Sequence, residues 1–126
     1  MDTRSKILTA DAAARLKIEP PVVVTGYFDP LLAAHARELE EVRRRTTPRA
    51  LLVVVLPSAG ELLSQRARAE LVAALRVVDY VVTTGSGGPD FDLEFLRPSE
   101  IVRLETADTL RTRQLREHVH RGQARK

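Results

Sequence analysis

The chain has 126 residues, 44% of them hydrophobic but only 4% aromatic, and a formal net charge of +3. That suits one compact domain, residues 1–126, with a core of Leu, Val and Ala. The lack of cysteine excludes disulfides, thiolate zinc sites and cysteine nucleophiles and fits a reducing cytoplasm, and no apolar run is long enough to cross a bilayer or serve as a signal-peptide core.

Residues 1–20 read as a helical lead-in. Ile7-Leu8 precedes a short helix capped by Thr9, and Pro20-Pro21 stops it. Residues 22–25, V-V-V-T, have the continuity of a buried strand. Gly26 ends it, Tyr27-Phe28-Asp29-Pro30 forms a turn, and a helix over 31–45 is predicted to bury Leu32, Ala36, Leu39 and Val42. The amino end of such a helix carries unpaired N–H groups and the positive end of the helix dipole, so it suits a phosphate.

Residues 51–56, L-L-V-V-V-L, predict a second buried strand, closed by Pro57. A helix over 65–76 is expected to bury Ala67, Leu71, Ala74 and Leu75, with Val78 just beyond, and a third strand covers 79–83. The stretch Thr84-Gly-Ser-Gly-Gly-Pro89 lacks the lysine and spacing of a phosphate-binding loop and reads as a linker turn. Asp90 suits the cap of a short helix through Leu96, with Phe91 and Phe95 on one face. A fourth strand covers 100–105, with Glu100, Arg103 and Glu105 blunting it as an edge.

Residues 106–126 read as a basic helix and tail, with Lys or Arg at 111, 113, 116, 121, 125 and 126. Without aromatic residues to stack on bases, this reads as a solvated face rather than a nucleic-acid contact. His118 and His120 are two positions apart, so they do not share a helix face and read as exposed. Strands alternating with helices predict an α/β, Rossmann-like three-layer sandwich: a parallel sheet of about four strands with helices on both faces. Ligands of such sheets bind beyond the carboxyl ends of the strands, where strand order reverses.

Residues 26–35, G-Y-F-D-P-L-L-A-A-H, resemble the G-x-F-D-x-x-H-x-G-H signature of the cytidylyltransferase-like nucleotidyltransferases. Further segments are similar to the adenylyltransferase domain of heptose-phosphate nucleotidyltransferases: K-I-L-T-A-D-A-A-A-R-L, H-A-R-E-L-E-E-V-R, R-A-E-L-V-A-A-L-R-V-V-D-Y-V-V and L-R-P-S-E-I-V-R. The resemblance implies attack of a sugar phosphate on the α-phosphate of ATP or CTP, with Mg²⁺ assisting and pyrophosphate leaving. It assigns backbone contacts to Gly26, Tyr27 and Phe28, a turn position to Asp29, a phosphate-facing role to His35 and a helix-opening arginine to Arg68.

The departures fall on the same site. Leu32 stands for the first histidine and Ala34 for the glycine; the loop 57–65 is shorter and lacks a lysine. The fourth strand ends in R-L-E instead of K-G-x-D-Y, and nothing corresponds to the fifth strand and its S-T-T or S-T-S turn. Losing one transition-state donor costs roughly 10²–10³ in rate. The resulting expectation is a catalytically impaired nucleotidyltransferase-like domain that still binds a nucleotide or phosphate. One alternative is an active enzyme completed by a partner chain or second copy at the edge strand 100–105; another is a basic nucleic-acid binder or scaffold. His35 reads equally as a phosphate contact or a packing residue, Asp29-Pro30 as a turn, and Arg68 as a phosphate arm or a surface arginine. No metal cluster and no Ser-His-Asp set is visible in the sequence.

Overall fold

The structure is a computed structural model that describes residues 2–58, 60–84 and 93–105. Five strands form one sheet: β1 (Ile7–Thr9), β2 (Val22–Gly26), β3 (Leu51–Val55), β4 (Tyr80–Thr83) and β5 (Glu100–Arg103). Their order is β1-β4-β3-β2-β5, and every pairing is parallel. The helices are α1 (Ala10–Ala14), α2 (Ala33–Thr46) and α3 (Gln65–Ala73), with 3₁₀ turns at Thr3–Lys6 and Glu94–Leu96.

This is a Rossmann-like α/β sheet with five strands where the sequence predicted four. The extra strand is β1, which the sequence placed at the head of a helix. Three residues are too few to display a period, and their strand conformation comes from pairing Ile7, Leu8 and Thr9 with Val81, Val82 and Thr83. The predicted cap holds, since Thr9 Oγ1 accepts the Ala12 N–H at 3.1 Å.

The long apolar strands are buried on both faces, which is why they read as unbroken runs rather than alternations. On one face Val22, Val24, Leu51, Val53, Val55 and Val81 pack beneath Leu39 and Val42 of α2 and Ala69, Val72 and Ala73 of α3. On the other, Val23, Leu52, Val54 and Val82 pack beneath Ala13 of α1 and Leu93 and Leu96. The sequence β2–α2–β3–α3–β4 therefore runs one way along the sheet with its helices on one face. The β1–β2 and β4–β5 connections run the other way across the opposite face, as right-handed crossovers require.

Two predicted helix faces are corrected. In α2 the buried line is His35, Leu39 and Val42, while Leu32 is 38% exposed at the cap position and Ala36 is only half-buried. In α3 the buried residues are Arg68, Ala69, Val72 and Ala73, and the helix ends at Ala73 rather than near residue 76. Leu71, expected inside, is 43% exposed. The helix carries two apolar stripes one residue apart, and burial of Arg68 selects the second.

Charges lock the layers at their edges. Asp79, expected inside the third strand, lies just before β4, and its carboxylate accepts the Leu51 N–H at 2.8 Å and a hydrogen bond from Arg43 of α2. Arg45 reaches Glu100 of β5 at 2.9 Å, and Arg44 pairs with Glu41 at 2.8 Å. The arginine run closing α2 is thereby paired with acids of α2 itself, of β5 and of the turn before β4. Among the described residues β5 is an edge strand, with Ile101 40% exposed. Glu105 does not blunt that edge, because it is 6% exposed. The linker turn at 85–89, the cap at Asp90, Phe91, the helix and tail over 106–126, and His118 and His120 lie outside the described residues.

Candidate functional site

The strand order reverses at β2, which has β3 on one side and β5 on the other. The crevice that doubly wound sheets use for ligands therefore falls at the carboxyl end of β2, beside Gly26 and the amino end of α2. All six residues singled out in the sequence lie at or next to this end of the sheet, in two linked clusters.

The first cluster is apolar. A Cβ built on Gly26 would stand 2.8 Å from two ring carbons of Phe28, so the bare Cα is the seat of that ring. Phe28 is fully buried and has φ 52°, a left-handed backbone that folds its side chain back over the strand end. Its ring meets His35 edge-on, with centroids 5.3 Å apart. His35 is 3% exposed, and its Nδ1 accepts the Leu32 N–H at 2.9 Å. The third residue of the helix thus returns to the cap amide, one half of a capping-box arrangement, and the neutral ring carries its proton on Nε2. Leu32 supplies no side-chain cap, leaving the amides of Ala33 and Ala34 at the mouth of α2 without a side-chain acceptor from the cap residue.

The second cluster is polar and is built around a buried arginine. Arg68 is fully buried, neither a surface arginine nor an extended arm. Its Nη1 donates to the carbonyls of Tyr27 at 2.8 Å and Leu56 at 2.7 Å, and its Nε to the Leu63 carbonyl at 3.2 Å. Nη2 meets Glu61 at 2.7 Å, and that carboxylate side chain is 40% exposed. Asp29 completes the assembly: its two carboxylate oxygens accept the N–H groups of Leu62 at 2.8 Å and Leu63 at 2.9 Å. The turn after β2 and the loop after β3 are thus bound to each other from both sides. The Asp29–Pro30 peptide is cis.

One pair at the switch point lies outside the motif residues. Thr25, the last β2 residue before Gly26, is 1% exposed and donates from Oγ1 to Glu105 Oε2 at 2.6 Å. Arg103 Nη1 lies 3.4 Å from the other carboxylate oxygen, and the Leu104 N–H donates to the Thr25 carbonyl at 2.8 Å. A threonine closing an otherwise apolar strand was the available signal, since a buried hydroxyl requires a partner. Among the described residues no group of three or more His, Asp or Glu is placed to hold a metal ion.

Compared with known proteins, the chain matches no family profile and no curated protein. The architecture and the site geometry therefore carry the functional reading.

Proposed function

We propose that this chain is a nucleotidyltransferase-like domain that holds a nucleotide phosphate at the amino end of α2 and does not transfer it. The observation that carries this reading is the commitment of the polar groups around the turn to the chain's own main chain. Arg68 engages three backbone carbonyls and Glu61, Asp29 two backbone amides, and His35 the Leu32 amide. Transfer requires donors aimed at charge that develops on the bridging phosphate. Groups bound to backbone partners are poor candidates for that work, and the Leu32 side chain has no donor.

The phosphate anchor rests on geometry that the substitutions leave in place. Gly26 and the left-handed Phe28 turn the chain sharply, and the amides of Ala33 and Ala34 open α2 at the switch point. Titration with ATP or CTP and Mg²⁺, followed by amide NMR, tests the anchor. Saturable shifts at Ala33 and Ala34 with affinity near millimolar support it. Shifts scattered over surface arginines, or none, refute it.

A second reading, an enzyme completed by another chain, is favoured by one observation: β5 is an edge strand with Ile101 40% exposed. A partner strand adding at residues 100–103 would extend the sheet beside the switch point. Light scattering over a concentration series separates the two readings, since the first needs only the monomer.

A further inference from the structure

A cavity of about 50 Å³ lies on the opposite face of the sheet from α2 and α3, against Leu52, Ala13, Pro21, Leu96 and Arg97. It sits towards the amino ends of β2 and β3, away from the switch point. Its lining side chains are aliphatic or aromatic apart from Arg97, and polar atoms make up about as much of its surface as apolar ones. Arg97 follows the Glu94–Leu96 turn with φ 49° and closes it by donating its N–H to the Glu94 carbonyl at 2.9 Å. Glycine is the usual residue at such a left-handed cap, and a side chain there is strained. The guanidinium makes no hydrogen bond or ion pair with the other described residues. A second cation stands beside the same lining, because Arg49 Nη1 donates to the Pro20 carbonyl at 3.3 Å.

We propose that this cavity binds a short aliphatic carboxylate, with its hydrocarbon against Leu52 and Leu96 and its carboxylate on Arg97. Size and charge select that class. A cavity of roughly 150 Å³ holds benzene, so one of about 50 Å³ holds roughly two or three carbon atoms. The planar guanidinium fork matches a carboxylate through two parallel hydrogen bonds. Arg97 lines the cavity although glycine would suit its left-handed backbone better, so a cationic side chain is kept there at a conformational cost. The inference concerns a different face from the phosphate anchor and stands independently of it.

Propionate is the probe, read by methyl NMR of the intact chain. Saturable shifts of the Leu52 and Leu96 methyls are expected, with inorganic phosphate at the same ionic strength leaving them unmoved. Arg97→Gly, which suits the backbone, is expected to weaken propionate at least about tenfold. Ala14→Leu, which enlarges an exposed side chain at the lining, is expected to block propionate without that change of charge. Absence of saturable shifts overturns the proposal. So does unchanged affinity in Arg97→Gly, or phosphate and propionate producing the same shifts.

Discussion

Arg68 Nη1 donates to the carbonyl oxygens of both Tyr27 and Leu56, at 2.8 and 2.7 Å, and so joins the chain just beyond two neighbouring strands, β2 and β3. A fully buried guanidinium is stable only where its partners are fixed, and here they are main-chain atoms and Glu61. Arg68→Met leaves those carbonyls unsatisfied. Urea denaturation is expected to show a loss of about 3 kcal/mol or more. A change below about 0.5 kcal/mol, the range of ordinary surface substitutions, would show that the clasp is not structural.

Gly26 and Phe28 are coupled by contact. Gly26→Ala drives a methyl into the Phe28 ring, at 2.8 Å from two of its carbons, and is expected to cost about 1–3 kcal/mol. Against a Phe28→Leu background the same change should cost measurably less, because the smaller side chain yields. Strict additivity in that cycle would place the cause elsewhere.

Asp29 holds two amides through one carboxylate. In Asp29→Ala, hydrogen exchange at Leu62 and Leu63 should accelerate by far more than at β3, with a stability loss of about 1–3 kcal/mol. Uniform acceleration across the sheet would instead indicate global destabilisation without a local clamp.

Thr25 and Glu105 form a buried pair. Thr25→Val removes a hydroxyl from a buried carboxylate and is expected to cost about 1.5–3 kcal/mol. Thr25→Val combined with Glu105→Leu should recover much of that loss, since apolar groups replace both partners. A double variant less stable than either single one would mean that Glu105 is held chiefly by other neighbours.

The sheet was legible where burial on two faces writes long β-branched runs, as in Val22–Gly26 and Leu51–Val55. β1 was not, because three residues acquire their conformation from pairing with β4 rather than from their own pattern. The face of α3 was ambiguous for a different reason. Ala67, Leu71 and Ala74 form one helical stripe and Ala69, Val72 and Ala73 a neighbouring one, and only burial of a charged residue, Arg68, decides between them. The location of the site was readable from the glycine turn and the helix start. The engagement of Arg68, Asp29 and His35 was not, because their partners are backbone atoms, whose positions no side-chain pattern records.

Binding without transfer is tested most directly by pyrophosphate release, measured with ATP or CTP, Mg²⁺ and a sugar phosphate, for the natural chain and for Leu32→His with Ala34→Gly. The expected result is nucleotide binding without release from the natural chain, and tighter binding by the double variant, which adds a donor and bares the backbone at the amino end of α2. Pyrophosphate released stoichiometrically with a nucleotide-sugar by the natural chain would contradict the account.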